Sequence, residues 1–303
     1  MNNKKVEIKM ILSGSLISLG LFSAVFTAFA ANSNNELKSA LKEVAGKVED
    51  ISIVKDDKAL TLDEKNQKEI EARKTALSKI FDLTLLEDNN LKTKLEDLKN
   101  LNENQEIVRT ALLNSLAENE NAYREMRTRL EEADSLKEIK QLATDFKTWR
   151  SAVYNPKVEK IVSFTLIFQQ KNILDTAFQR LEKIKSDLEK LSGAKLIKKE
   201  DFNKMISKAN SNLLESDSLI KEAENLIMLD FKDLLTAPEV TASSTEITIA
   251  SEPAETSTTS NKSVKKEPPT SKALLDESLN QIRLAYSIFI DISKSVKTKI
   301  GLK

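Results

Sequence analysis

Scarcity of glycine and proline is the feature that most restricts the fold of this chain. Only 5 Gly and 5 Pro occur among its 303 residues. A β-sheet protein needs a turn every roughly 8–12 residues, and glycine and proline usually supply those turns. Lysine, glutamate, leucine, alanine and serine are abundant instead, as is typical of helical proteins. The sequence therefore predicts an all-α protein, an elongated helical bundle with long antiparallel helices.

Charge and side-chain chemistry argue against several classes of function. Lys plus Arg is 47 and Asp plus Glu is 47, so the formal net charge is zero and no basic surface for nucleic acid is expected. The chain has neither His nor Cys. Their absence removes the commonest general base, the commonest zinc ligands, thiol catalysis and disulfides. We therefore expect a non-enzymatic protein without cofactor or metal, although a hydrolase built on a Ser–Lys pair stays open.

The N-terminus has the features of a secretory signal peptide, residues 1–30. Three lysines among the first nine residues precede an uncharged apolar stretch over residues 10–30. Ala28-Phe29-Ala30 then supplies the small-x-small pattern that a signal peptidase requires. An uncleaved membrane anchor is the alternative, because about 20 apolar residues can span a bilayer. We expect an exported, extracytoplasmic protein of the cell envelope or a secreted one, with membrane contact only through this segment if it stays attached.

Hydrophobic periodicity divides the next 206 residues of the chain into an N-terminal segment with a short helix, residues 31–60, and a helical bundle domain, residues 61–236. Two capping boxes predict helix starts, because a Thr or Ser side chain and a Glu three residues later can each satisfy the other's backbone N–H. These boxes are Thr61–Glu64 and Ser135–Glu138. Residues 86–90 (LEDNN) are predicted to form a turn.

The longest helix is predicted to begin after Pro156 and to run over residues 157–191. The residue before a proline avoids the helical region, so the preceding helix is expected to end by Asn155. Gly193 would end the long helix.

Three distinctive side chains, Trp149, Arg150 and Tyr154, lie in that predicted helix-to-helix corner. They are the candidate contact residues for a ligand or partner, since an aromatic and cationic platform could bind a sugar or a peptide. The alternative is a packing role, in which Trp149 fills the core and Tyr154 caps the turn.

A disordered linker over residues 237–270 and a C-terminal amphipathic helix over residues 271–303 complete the chain. The linker is rich in Ser, Thr and Pro and can bury too little apolar surface to offset its ordering entropy. The helix repeats apolar residues every seven positions, as in a coiled coil. Its apolar face could complete this protein's own bundle, bind a partner helix or lie on a membrane surface. The candidate partner-helix face comprises Leu275, Leu279, Ile282, Tyr286, Phe289 and Val296.

Two stretches of the chain carry a resemblance: residues 146–150 (FKTWR) with 154–156 (YNP), and residues 172–184 (NILDTAFQRLEKI). In them the chain resembles uncharacterised exported, helix-rich proteins of candidate-phylum (ultrasmall) bacteria, over about residues 121–235. Those proteins carry a signal peptide, a helical region with a helical hairpin and often a Ser/Thr/Pro-rich tail. The resemblance implies export and a non-enzymatic role, and no functional residues.

Two functions are therefore expected from the sequence. The first is a non-enzymatic exported helical scaffold or protein-interaction protein of the cell envelope, acting through a protein partner or self-association of its helices. The second is an extracytoplasmic binding module for a peptide or glycan at the corner of Trp149, Arg150 and Tyr154. Exposure of Trp149 in a concave site would favour the second, and its burial would favour the first.

Overall fold

The computed structural model describes residues 35–236 and 268–301. The predicted signal peptide lies outside the described residues, and so does the predicted linker except for its last three residues. Within the described ranges every regular element is a helix, which confirms the all-α class. Over the same residues, no helix is both long and apolar enough to cross a bilayer.

Eight α-helices, one π-helical segment and one 3₁₀ turn make up the described chain. In order they are α1 (Asn35–Asp56), α2 (Leu62–Glu96), α3 (Glu103–Glu132), α4 (Leu136–Trp149), the π segment (Arg150–Tyr154), α5 (Asn155–Gly193), the 3₁₀ turn (Lys199–Phe202), α6 (Asn203–Asp230), α7 (Lys232–Thr236) and α8 (Ser271–Lys299). The predicted turn at residues 86–90 is wrong, since these residues lie inside α2. Apolar residues on both sides of it share the buried face of one uninterrupted helix.

Both predicted capping boxes are confirmed, and they begin α2 and α4. Thr61 Oγ1 accepts a hydrogen bond from the Glu64 N–H at 3.4 Å, and Glu64 Oε2 accepts one from the Thr61 N–H at 2.9 Å. Ser135 and Glu138 make the same reciprocal pair at 3.2 and 3.1 Å. Each box satisfies backbone donors that the first helical turn leaves without intrahelical acceptors.

The predicted break in helical structure at Asn155 is wrong, because α4 continues through the π segment into α5. Asn155 is helical, with φ −59° and ψ −41°, and its N–H donates to the carbonyl of Arg150, five residues earlier. Proline lacks an N–H, and in a regular helix its ring meets the carbonyl four residues before it. The wider π turn accommodates Pro156, so α4, the π segment and α5 follow one another without a corner.

The described residues form two compact units. Unit 1 comprises residues 35–97 and 111–161, and unit 2 comprises residues 98–110 and 162–301 without the undescribed 237–267. The predicted bundle segment, residues 61–236, contributes to both units, and the C-terminal helix belongs to unit 2.

In unit 1, α1 and α4 both pack on α2. Helix α1 is the helix predicted within residues 31–60, and it runs to Asp56. Its buried row is Leu37, Val44 and Ile51, at intervals of seven residues. Phe81 of α2 and Phe146 of α4 meet edge to face, with ring centroids 5.0 Å apart. Such aromatic contacts add about 0.5–1.5 kcal/mol to the stabilisation from buried area.

In unit 2, α6 runs antiparallel to both of its partner helices. The ion pair Lys171–Glu224 joins α5 to the C-terminal part of α6, and Glu189 of α5 pairs with Lys199 of the 3₁₀ turn before α6, so α5 and α6 run in opposite directions. Helix α8 packs on α6. The Oγ atoms of Ser216 and Ser278 lie 2.8 Å apart in that contact, with both residues fully buried.

The predicted partner-helix face of α8 therefore packs within this chain's own unit 2. Leu275, Ile282 and Phe289 are buried, and the remaining three residues of that face are half-buried. Gln170 Nε2 of α5 donates to the Leu275 carbonyl at 2.9 Å, and so fixes α8 against α5 as well. Near the C-terminal end of α8, Ile292 packs in a buried apolar cluster with Leu188, Ile197 and Phe202.

Two substitutions on α8 test this docking. Ile282 is 2% exposed and Leu284 is 46% exposed. We expect Ile282→Ala to lower the free energy of unfolding by about 2–5 kcal/mol, because it leaves a cavity in the core of unit 2. Leu284→Ala should change it by less than about 1 kcal/mol. Urea unfolding followed by circular dichroism measures both, and equal effects would contradict the packing of α8.

Candidate functional site

The most distinctive group of side chains in the described residues is a buried polar cluster in unit 1. It brings together Arg150 and Tyr154 of the π segment with Glu87 and Asp88 of α2. Arg150 is 2% exposed and Tyr154 is 0% exposed, and both carboxyl residues are buried. A buried charge is costly unless it is paired and hydrogen-bonded, so these partners must be positioned together.

Glu87 is the acceptor at the centre of this cluster. Arg150 Nη2 donates to Glu87 Oε2 at 2.7 Å, and the Tyr154 hydroxyl donates to the same oxygen at 2.9 Å. Arg150 Nη1 donates to Thr84 Oγ1 at 3.0 Å. Charge-assisted hydrogen bonds of this kind are shorter and stronger than neutral ones. They connect α2 to the π segment across more than sixty residues of sequence.

The π segment explains why Arg150 and Tyr154 reach the same carboxylate. Its widened turn places both side chains on one side of the helix, where the guanidinium carbon of Arg150 lies 4.6 Å from the Tyr154 ring centroid. That distance is within the range of a cation–π contact.

Aromatic rings enclose the cluster. The Trp149 ring centroid lies 5.2 Å from that of Tyr123 and 5.6 Å from that of Tyr154. Phe146 stacks on Trp149 at 6.0 Å. Trp149 itself is half-buried. These rings exclude water from the ion pair, which strengthens its electrostatic attraction.

The pKa values of Arg150 and Tyr154 are both raised above their ordinary values. Burial by itself lowers the pKa of Arg150, but the charge of Glu87 and the neighbouring tyrosines outweigh it and hold that pKa above its ordinary value. Burial raises the pKa of the Tyr154 hydroxyl, and the charges of Glu87 and Asp88 raise it further. Arg150 therefore stays charged and Tyr154 stays a hydrogen-bond donor.

The chemistry of the cluster is that of a structural ion pair. Arg150 and Tyr154 donate to Glu87 within the cluster. The arginine does not lose its proton in proteins. In the part of the chain that the structure describes, no group of three or more Asp or Glu side chains could hold a metal ion.

The structure brings all three predicted corner residues together, but inside a helix rather than at a corner. Arg150 and Tyr154 are enclosed against Glu87, as a packing role requires. A role in contacting a ligand or partner stays a prediction. The sequence analysis placed Glu87 in a turn and did not predict its pairing with Arg150. The signal was present in the helical spacing, because Thr84, Glu87 and Leu91 continue the buried row that holds Ile80.

Comparison with known proteins identifies no similar protein. The chain matches no protein-family model, no curated protein and no solved structure.

Removing one partner of the ion pair should be far more damaging than removing both. We expect Arg150→Met to lower the free energy of unfolding by about 3–5 kcal/mol, because it leaves the Glu87 carboxylate buried and unpaired. The double variant Arg150→Met/Glu87→Met should recover a large part of that loss. Chemical unfolding at pH 6 measures both variants.

A surface arginine provides the matched control for this experiment. Arg124 pairs with Glu120 at 2.7 Å, and the two side chains are 72% and 54% exposed. Arg124→Met should cost less than about 1 kcal/mol. If Arg150→Met costs no more than Arg124→Met, the buried pair does not hold unit 1 together.

Proposed function

We propose that this protein is a non-enzymatic, exported helical scaffold of the cell envelope that acts through protein contacts on its helices. The observation that carries the proposal is the closed Arg150–Glu87–Tyr154 network. Two of the three predicted ligand-contact residues, Arg150 and Tyr154, instead join the π segment to α2 through Glu87. What remains for function is the outer surface of the helices.

Exposed apolar side chains on that surface support a contact role. Leu229 is 63% exposed and Leu234 is 53% exposed. They flank the half-buried Phe231 where α6 gives way to α7. Single exposed leucines are normal on a protein surface, whereas a contiguous apolar patch marks an interaction site. Leu229, Phe231 and Leu234 lie within six residues of one another in the sequence. A protein partner or a second copy of the chain fits this chemistry.

The alternative, a peptide- or glycan-binding module at Trp149, Arg150 and Tyr154, has less support. A cation–π or stacking platform needs ring faces and a guanidinium that a ligand can reach. Arg150 and Tyr154 are nearly inaccessible, so only the half-buried Trp149 offers any surface.

Fluorescence of Trp149 tests the choice between these two functions, because it is the only tryptophan. At pH 6 we expect a blue-shifted emission that iodide quenches poorly, since three aromatic rings surround the indole. Glycan and peptide libraries should leave the emission unchanged. A red-shifted, readily quenched emission, or a shift on adding a ligand, would favour the binding module.

Export is testable with a reporter enzyme that is active only outside the cytoplasm. Residues 1–35 fused to alkaline phosphatase should give an active enzyme in a bacterial host, because an uncharged apolar stretch directs export. Leu19→Arg/Phe22→Arg in the same fusion should abolish that activity, since charges in the apolar stretch prevent insertion. Equal activity of both fusions would contradict a signal peptide.

A further inference from the structure

Asp88 stands out from the rest of the buried cluster because its charge is not balanced. The residue is 7% exposed, and neither carboxylate oxygen has a hydrogen-bond partner. Its neighbour Glu87 accepts the hydrogen bonds that Arg150 and Tyr154 donate. A buried carboxylate without a partner normally becomes neutral, because the ionised form loses its hydration without compensation.

The groups that face Asp88 come from three elements. Glu87 lies on its own helix, Glu120 and Tyr123 lie on α3, and Arg150 and Tyr154 lie on the π segment. Glu120 is exposed and pairs with Arg124 at the surface. The environment of Asp88 therefore contains two other carboxylates and one buried guanidinium, whose Nη atoms donate to Glu87 and Thr84.

Tyr123 and Asn119 add two further buried polar groups on α3, one helical turn apart. Tyr123 is 0% exposed and Asn119 is 1% exposed, and the Tyr123 hydroxyl and Asn119 Nδ2 have no hydrogen-bond partner. A protonated Asp88 has an O–H to donate, and a hydroxyl oxygen such as that of Tyr123 can accept it. The ionised carboxylate has no proton to donate.

We propose that Asp88 is a proton-binding site that keeps unit 1 closed when it is protonated and loosens the packing of α2 against the π segment when it ionises. On ionisation the proton passes to solvent. The remaining negative charge then lies in an apolar enclosure beside Glu87, and the enclosure must open to hydrate it.

The direction of the pH dependence follows from the two states of Asp88. Burial raises its pKa from 3.8 to about 7, the charge of Glu87 adds to that rise, and Tyr154 and Arg150 oppose it. The folded protein therefore holds the proton at pH values where the unfolded chain has lost it. The stabilising effect is complete below about pH 4, is lost progressively as the pH rises to about 7 and is absent above that.

Titration of the wild-type full chain tests the site directly. The ¹³C resonance of the Asp88 side-chain carboxyl, identified by its loss in Asp88→Asn, should titrate with a midpoint near neutral pH. Quenching of Trp149 by iodide should increase over the same range, because Trp149 contacts both Tyr123 and Tyr154. A carboxyl midpoint near the ordinary value for aspartate, or quenching that stays constant from pH 5.5 to 8.5, would overturn the proposal.

Asp88→Asn supplies the second measurement, since the amide resembles the neutral acid and cannot ionise. The ratio of the unfolding equilibrium constants, wild type over Asp88→Asn, should rise by about tenfold per pH unit between pH 4 and 7 and then level off. Asp63→Asn, an exposed aspartate on the same helix, is the matched control. A flat ratio for Asp88→Asn would also overturn the proposal.

Discussion

The contact between Arg150 and Glu87 is the interaction on which the rest of unit 1 depends. It joins two helices whose sequences lie 63 residues apart, and it does so in an enclosure of aromatic rings. A buried ion pair contributes little net stability compared with a well-packed apolar pair, but leaving one partner alone is costly. The ion pair therefore favours one register of α2 against the π segment, because any other register would leave a buried charge without its partner.

The π segment makes this contact possible. A proline inside a helix removes one hydrogen bond and crowds the preceding turn. Here only Asn155 separates Pro156 from the five-residue π segment, whose widened turn directs Arg150 and Tyr154 to the same carboxylate oxygen. The local departure from α-helical geometry thus both accommodates the proline and positions the two side chains that hold α2.

Unit 2 uses polar contacts for a similar purpose inside an apolar interface. Ser216 and Ser278 meet in the contact of α6 with α8, and Gln170 donates to the Leu275 carbonyl. An apolar stripe alone tolerates sliding by one heptad, whereas a buried polar pair is satisfied in one register only. This matters for α8, because 34 residues separate it from the preceding helix.

Much of the fold could be predicted from the sequence, because it depends on local patterns. The all-α class follows from the scarcity of turn residues, and both capping boxes start helices where Thr61 and Ser135 place them. On α8, the predicted face residues Leu275, Ile282 and Phe289 are buried, whereas Leu279, Tyr286 and Val296 are only half-buried. The buried Leu274, Ala285 and Ile292 were not predicted. Predictions failed at residues 86–90 and at Asn155, where polar residues and a proline suggested breaks in helices that the structure continues. At residues 86–90 the helix continues and Glu87 pairs with Arg150, which is distant in sequence. At Asn155 the π turn accommodates the following proline, so local propensity gave the wrong answer in both places.

The sequence by itself determined that this chain forms long helices and which faces of them are apolar, since both properties depend on neighbours within about one helical turn. Only the tertiary structure decided that Glu87 meets Arg150, that Asp88 is left without a partner and that α8 packs on α6. These outcomes depend on which of several similar apolar faces come together. That choice depends on the packing of the whole unit and on the pairing of buried groups such as Arg150 and Glu87, and a local sequence pattern contains neither.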